Sequence, residues 1–95
     1  MTQDKLLDVE IITPEKVVFK NKALSVTVPG GQSSFQILFN HAPIVSTLES
    51  GWIKLVDENN KQLLFKTTKG FTEVSNNKIS ILVESAEEQN ISNLN

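Results

Sequence analysis

The sequence contains no cysteine and no arginine, and its one histidine is His41. Without cysteine, the chain has neither a disulfide framework nor a thiolate metal site. One histidine cannot form a multi-histidine metal site by itself. Because bidentate recognition of phosphate and guanine depends on the guanidinium group, the lack of arginine counts against nucleic-acid binding. The nine basic residues, all lysines, are scattered among eleven acidic residues, so no basic cluster favours nucleic acid or an anionic lipid surface.

Long apolar runs are also missing. No segment approaches the roughly 20 consecutive apolar residues that span a bilayer. The start of the chain lacks the basic end and the continuous apolar run of a secretory signal, so we expect a cytoplasmic protein. The 95 residues are enough for one domain, which buries roughly two-thirds of its unfolded surface around a single core.

Short runs of alternating apolar and polar residues make up most of the sequence. They predict strands at 7–11, 17–19, 24–28, 35–37, 44–48, 52–56, 62–67, 71–74 and 79–83, with a turn at Asn21-Lys22 between the second and the third. The last of these strands carries apolar residues on both faces at its middle, because Leu82 joins the alternation of its neighbours. Many short strands at this spacing indicate an all-β sandwich or barrel.

The stretch Val26–Val45 predicts two strands joined by a loop and followed by a corner. Pro29 has no N–H, so the first strand ends or reaches a sheet edge there. Gly30 and Gly31 permit positive φ, which predicts a tight turn. The Asn40–Pro43 segment redirects the chain again, because a residue before proline favours extended geometry. The unit presents a shaped loop, which suits contact better than chemistry.

The composition changes after Glu84. Too few apolar residues follow to offset the backbone entropy of ordering, about 1–2 kcal/mol per residue. The sequence therefore predicts a β domain over residues 1–86 and a flexible polar tail over 87–95, frayed or with at most one loose helical turn.

Candidate residues for chemistry have plainer explanations. His41 is suited to general-base work by its type, but the sequence puts no nucleophile and no orienting carboxylate beside it. A phosphate loop at Pro29-Gly30-Gly31 would need a following lysine and a helix N-terminus. Lys69 would need desolvation to become reactive. Trp52 and the phenylalanines fall mainly on strand positions and are predicted to pack in the core. We predict no catalytic residue, no metal site and no cofactor.

Three motifs, in order, carry a resemblance to a known family. They are LDVEIITPEKVVF (7–19), VTVPGGQSSFQILFNHAPIV (26–45) with the following Leu48 and Gly51-Trp52-Ile53, and KGFTEVSNNKISILVESAE (69–87). Together they resemble the N-terminal domain of the epsilon subunit of F-type ATP synthase, which is called delta in mitochondria. The resemblance covers residues 6–87.

The resemblance implies a flattened β-sandwich of about ten strands and a place on the central stalk, between the gamma subunit and the membrane ring of c subunits. A domain of this kind couples the ring to gamma and makes or breaks no bond itself. By position, the c-ring-facing loop is Gly30, Gly31, Gln32, Ser33 and Ser34, and the gamma-facing residues are Thr13, His41, Ala42 and Pro43.

The sequence departs from the family pattern in two ways. Ser33 and Gln36 stand where the family usually has glycine. Ser34 stands where the family often has a negative residue, and Lys69 stands where it usually has a first glycine before Gly70. Longer members continue into two C-terminal helices that bind ATP in some species and inhibit the catalytic head. The sequence has no such helices. The resemblance therefore implies a coupling subunit without inhibitory helices and without nucleotide binding, held at the cytoplasmic face of the bacterial inner membrane. An expressed fragment is the other possibility.

Two other classes are compatible with the same alternation. A free-standing adaptor or carbohydrate-binding sandwich predicts a row of exposed aromatic side chains on one face. A small β-sandwich enzyme would need a catalytic constellation that the sequence does not supply. The rotor interpretation predicts instead that large apolar side chains stay exposed around the His-Ala-Pro corner, and full burial of Phe39 and Ile44 beneath a wholly polar surface would weaken it.

Overall fold

The computed structural model describes residues 5–89, and all regular structure in that part of the chain is β-strand. Nine strands follow one another: β1 (Leu7–Ile12), β2 (Val17–Pro29), β3 (Ser34–Ile37), β4 (Ile44–Leu48), β5 (Gly51–Asp57), β6 (Gln62–Thr67), β7 (Gly70–Ser75), β8 (Lys78–Val83) and β9 (Ala86–Gln89). The prediction of an all-β domain is confirmed.

The long strand β2 belongs to two layers. Its first half pairs with β1, from Ile12↔Val17 to Leu7↔Ala23, and its second half pairs with β3 and β5. The register against β5 shifts between Ala23 and Ser25, and such a bulge bends a strand. The first layer is therefore β4-β7-β8-β1 with the first half of β2, and the second is β3, the second half of β2, β5, β6 and β9.

The core fills the space between the two layers. Phe19 of the first layer meets Phe65 of the second edge to face, with ring centroids 5.5 Å apart. Around this pair lie the inward residues of both layers, each contributing about 1.5–3 kcal/mol on full burial: Leu7, Val9, Ile11, Leu48, Val74, Ile79 and Ile81 from the first, and Val26, Val28, Ile37, Ile53 and Leu55 from the second. The shortest dimension is 26 Å against 36 and 34 Å, so the sandwich is flattened.

The predicted turn at Asn21-Lys22 is wrong, because β2 runs through it. Asn21 pairs with Val9 and Lys22 with Asp8, and the Lys22 ammonium lies 2.6 Å from the Asp8 carboxylate. The polar side chains mark solvent-facing positions of an edge strand rather than a break in it. The two strands predicted at 17–19 and 24–28 are thus the halves of β2, one in each layer, and this gives each layer five strands.

The glycines of the Pro29-Gly30-Gly31 loop do not use positive φ. Within residues 5–89 the residues with positive φ are asparagines: Asn40, Asn60, Asn76 and Asn77. Gly30 is required for space, since a Cβ there would lie 2.8 Å from the Ser33 carbonyl oxygen and 2.9 Å from the Phe35 ring. Asparagine takes the left-handed turns because its short polar side chain tolerates that geometry.

The segment after Glu84 is more ordered than predicted. Ala86–Gln89 forms β9 and pairs antiparallel with β6, from Thr67↔Ala86 to Leu64↔Gln89. Thr68 supports its start, because its hydroxyl oxygen accepts hydrogen bonds from the amides of Glu84 and Ser85, each at 3.0 Å. A frayed or loosely helical tail is therefore wrong over 87–89, which continue the strand that begins at Ala86. An edge strand gains its backbone hydrogen bonds without needing apolar side chains, and the remaining predicted tail, 90–95, lies outside the described residues.

Candidate functional site

The strands run between two ends of the sandwich. One end, which we call the loop end, contains the turn Thr13–Lys16, the loop Gly30–Ser34 and the start of the β4–β5 connection at Glu49. There Gly30 pairs with Leu48, and the Glu49 amide donates to the Pro29 carbonyl at 2.8 Å. The segment Leu38–Pro43 and the β7–β8 turn lie at the other end, which we call the corner end, because Ile44 pairs with Val74.

The loop Gly30–Ser34 is exposed from Gly31 onward, whereas Gly30 itself is buried. None of its side chains is charged, and two of the exposed residues, Ser33 and Ser34, carry hydroxyl groups. The Pro29↔Ser34 pair closes the β2–β3 hairpin at its base. The loop can therefore offer neutral hydrogen-bonding groups and backbone at a fixed position, but no charge.

The His-Ala-Pro corner is a folded-back turn with apolar surroundings. The His41 amide donates to the Leu38 carbonyl at 3.0 Å, and its Nδ1 lies 2.7 Å from the Ala42 carbonyl. Because a carbonyl only accepts, Nδ1 carries the proton, and this ring nitrogen is engaged within the turn. Leu38 and Val45 are exposed, at 50% and 74%, and Phe39 and Ile44 are half-buried, as expected for this corner.

Thr13 lies at the loop end, away from the corner. It is nearly buried, its hydroxyl donates to the Lys16 carbonyl at 3.2 Å, and the Lys16 amide returns a bond to the hydroxyl oxygen at 3.3 Å. The threonine hydroxyl thus closes the β1–β2 turn. Thr13 therefore shares its end with the loop Gly30–Ser34, while His41, Ala42 and Pro43 occupy the opposite end.

An apolar row crosses the outer face of the first layer near the loop end. Phe71 pairs with Leu82, Leu82 with Ile12, and Ile12 with Val17, so these four residues, which we call the apolar row, lie side by side across four strands. Phe71, Leu82 and Val17 are 54%, 48% and 52% exposed. An open groove of about 740 Å³ is lined by Phe71, Leu82 and Ile12 of this row, and also by Thr13 and Leu48.

The sequence contains only one clear indication of this row. Leu82 was the residue that gave β8 two apolar faces, whereas Phe71 was predicted to pack in the core. The register that aligns Phe71, Leu82, Ile12 and Val17 depends on the parallel pairing of β1 with β8, which are distant in sequence. Alternation within single strands therefore could not reveal the row.

Most of the remaining residues on this outer face are charged, and the exposed Val45 pairs with one of them, Glu73. Lys20 bridges Glu10 at 3.6 Å, and Lys22 bridges Asp8 at 2.6 Å, toward the corner end. The hydrogen bond from Lys22 to Asp8 and the charge of that carboxylate raise the pKa of Lys22 above its ordinary value. The apolar row thus lies near the loop end of this face, and both ion pairs lie toward the corner end.

The outer face of the second layer carries Trp52, Val56 and Leu64, and each of them pairs with a polar residue on the neighbouring strand: Lys66, Gln62 and Lys54. Trp52 is 48% exposed, not in the core as predicted, and the Lys66 ammonium lies 6.0 Å from its ring centroid. Lys66 pairs in turn with Glu87 of β9. Trp52 and Phe71 are on opposite outer faces, so they do not form the single aromatic row that a carbohydrate-binding sandwich predicts.

The described residues define a surface for contact. Within 5–89, no three His, Asp or Glu side chains come together as a metal-binding group, and no helix is long and apolar enough to cross a membrane. In the same range, every buried side-chain nitrogen or oxygen has a hydrogen-bond partner. The class that this geometry defines is a small two-layer β-sandwich with an apolar outer face next to an exposed loop.

Comparison with known proteins gives the family. The family described as "ATP synthase, Delta/Epsilon chain, beta-sandwich domain" matches residues 6–89, and the chain belongs to it. The chain is 37% identical over 83 residues to an ATP synthase epsilon chain of Chlorobium limicola, covering 87% of this chain and 94% of that one. It is 43% identical over 77 residues to the epsilon chain of Desulfitobacterium hafniense strain Y51, covering 81% of this chain and 58% of the relative.

The matched length differs between relatives. For the epsilon chain of Desulfatibacillum aliphaticivorans, 38% identical over 78 residues, the match covers 82% of this chain and 55% of that one. The chain thus spans about half the length of several curated relatives and nearly all of the Chlorobium protein.

Solved structures share the fold. A chain in the cryo-EM structure of the Euglena gracilis mitochondrial ATP synthase (OSCP/F1/c-ring) superposes with a TM-score of 0.84 over 88% of this chain and 54% of that one, at 15% identity. A chain in the Tetrahymena thermophila mitochondrial ATP synthase central stalk/c-ring structure superposes with a TM-score of 0.72 over 85% of this chain and 65% of that one, at 20% identity.

Proposed function

We propose that this protein is a non-catalytic central-stalk subunit of an F-type ATP synthase that couples the c ring to the gamma subunit during ion-driven ATP synthesis. The observation that carries the proposal is the apolar row on the outer face of the first layer. A row of half-exposed large apolar side chains marks a protein-binding surface, and each gains about 1 kcal/mol when its remaining surface is covered. Membership of the epsilon family supports gamma as the partner.

Gamma covers the outer face of the first layer in this proposal. Thr13 and the His41–Pro43 corner, the residues that resemble gamma-facing positions, lie at opposite ends of this layer, about 17 Å apart along a five-residue strand. A partner that reaches both ends has to cross the strands between them. Phe71, Leu82 and Val45 lie on that path, which supports a contact area larger than either end alone.

The c ring contacts the loop end through Gly30, Gly31, Gln32, Ser33 and Ser34. The exposed loop offers hydroxyl groups, an amide and free backbone, which suit the polar loops of the ring. Gamma and the ring therefore meet the domain at neighbouring surfaces, since Thr13 and the loop share one end. The close-packed core between the layers transmits force from one surface to the other with little compression.

The domain itself binds no nucleotide in this proposal and is peripheral to the cytoplasmic face of the bacterial inner membrane through the complex. The Pro29-Gly30-Gly31 loop leads into β3, so it lacks the helix N-terminus that a phosphate cradle uses. Calorimetric titration with ATP tests this part. Binding at micromolar affinity would contradict it.

Native mass spectrometry after co-expression with the gamma subunit of the same genome tests the central claim. We expect a one-to-one complex with the unmodified chain and its loss in Leu82→Glu, because that carboxylate would be buried without a partner. Lys54→Glu is the matched control, since Lys54 faces outward on the second layer and the change should leave the complex intact. A folded gamma that fails to bind the unmodified chain would overturn the proposal.

A further inference from the structure

The residue just before the His-Ala-Pro corner is held by the β7–β8 turn. The Asn40 backbone amide donates to Oδ1 of Asn77 at 2.5 Å, and Nδ2 of Asn77 donates to Oδ1 of Asn40 at 3.1 Å. The two residues are 37 positions apart in sequence, so this reciprocal pair joins two separate loops of the corner end. Because a backbone N–H can only donate, the orientation of the Asn77 amide is fixed.

Both asparagines are in the left-handed region, with φ of 67° for Asn40 and 62° for Asn77. Asparagine tolerates this backbone, and at these two positions the side chains also bond to the opposite loop, which the turn geometry does not require. The Asn77 carbonyl also accepts a hydrogen bond from the Asp8 amide at 2.9 Å, which fixes the β7–β8 turn to β1. Asn77 is therefore anchored on the sheet by its backbone and reaches the corner with its side chain.

We propose that the Asn40–Asn77 amide pair is a latch that positions the His41–Pro43 corner for its partner. Asn77 acts as a positioning residue: it does not belong to the corner, and it sets the direction in which the chain enters it. With the latch closed, the corner is held ready for binding, so the partner does not have to order it. With the latch absent, the corner samples other conformations and the apparent affinity falls by the fraction that remains competent.

Asparagine-to-glycine variants of the full chain separate the latch from the backbone geometry. Asn77→Gly keeps a residue that accepts positive φ and removes both amide hydrogen bonds. Asn76→Gly is the matched control, since Asn76 has φ of 52° in the same turn and makes no latch bond. Asn77→Asp is the rescue variant, because its carboxylate still accepts from the Asn40 backbone amide and, once the Asn40 side-chain amide flips, accepts from its NH2 group as well.

Amide hydrogen exchange, monitored by NMR, measures directly whether the latch is closed. In Asn77→Gly we expect the residue 40 amide to exchange about tenfold faster, equivalent to about 1.4 kcal/mol. In Asn76→Gly and Asn77→Asp the rate should stay within about twofold of the unmodified chain. Unchanged exchange in Asn77→Gly would overturn the latch.

Affinity for the gamma subunit reads the positioning role, and this arm rests on the proposed function. We expect the Kd to rise roughly threefold to tenfold in Asn77→Gly, with no change in Asn76→Gly and recovery in Asn77→Asp. Faster exchange without weaker binding would overturn the positioning role. If the unmodified chain fails to bind folded gamma, the proposed function fails together with this role, while the exchange measurement still decides whether the latch exists.

Discussion

The two layers of the sandwich have similar inner faces and different outer faces. Both bury β-branched, leucine and phenylalanine side chains between them, but only the first layer carries several large apolar residues outward in register. On the second layer the outward apolar residues Trp52, Val56 and Leu64 each pair with a polar residue instead of with one another. The inner faces are what folding requires. The difference between the two outer faces therefore supports the first layer as the side that contacts the partner in the proposed function.

The largest effect on stability is expected at Gly70, the first residue of β7, next to Phe71 of the apolar row. A Cβ at Gly70 would overlap the Leu82 carbonyl oxygen and lie 2.8 Å from a methyl carbon of Val83. Gly70→Ala should therefore push β7 from β8 and lower the free energy of unfolding by about 3 kcal/mol, measured by urea denaturation. Gly31→Ala is the control, because its Cβ would only touch the Thr47 hydroxyl at 3.4 Å, and it should change stability by less than about 0.5 kcal/mol. Equal losses would contradict the packing argument.

The next effect compares the two exposed aromatic residues directly. Phe71 and Trp52 have similar exposure, 54% and 48%, and lie on opposite outer faces. Phe71→Ala should weaken binding to gamma by about 2 kcal/mol, as for an aromatic residue at the centre of an interface, whereas Trp52→Ala should change it by less than about 0.5 kcal/mol. Isothermal titration calorimetry measures both. A larger loss in Trp52→Ala would move the proposed interface to the second layer.

A smaller effect concerns the outer edge of the second layer. Thr68→Val removes the hydroxyl oxygen that accepts from the Glu84 and Ser85 amides at the start of β9. We expect a loss of about 1 kcal/mol in unfolding free energy and faster amide exchange over Ala86–Gln89, with gamma binding unchanged. Thr47→Val is a suitable control, since Thr47 is an exposed threonine on the edge strand of the first layer. Exchange in β9 that stays slow in Thr68→Val would show that strand pairing alone holds it.

Local patterns were enough to predict most of the fold. Alternation in β1, β5 and β8 identifies the buried residues, because one face of each strand meets a core. The same reasoning missed the continuity of β2 at Asn21-Lys22, where polar side chains lie on an edge strand that still pairs with β1. It also missed β9, whose order comes from backbone pairing that composition does not reveal.

The candidate surface was harder to predict than the core. The loop Gly30–Ser34 and the His41–Pro43 corner were located by motif, and the structure adds that they lie at opposite ends. The apolar row and the Asn40–Asn77 pair depend on contacts between segments far apart in the chain. Sequence periodicity reports which side of a strand a residue faces, and it does not report which strand is its neighbour.

The smallest effect on stability is expected at Lys66, and it tests whether Trp52 has only a surface contact with that lysine. The Lys66 ammonium lies 6.0 Å from the indole ring centroid, so a weak cation–π contact is expected. Lys66→Met keeps the aliphatic stem and removes the charge, and it should cost about 0.5 kcal/mol in unfolding free energy, with a change in tryptophan fluorescence but none in gamma affinity. Lys54→Met, on the same outer face and two residues from Trp52 along β5, controls for loss of a lysine. If Lys66→Met weakened gamma binding while Lys54→Met did not, the second layer would also contact the partner, and the functional contrast between the two faces would be lost.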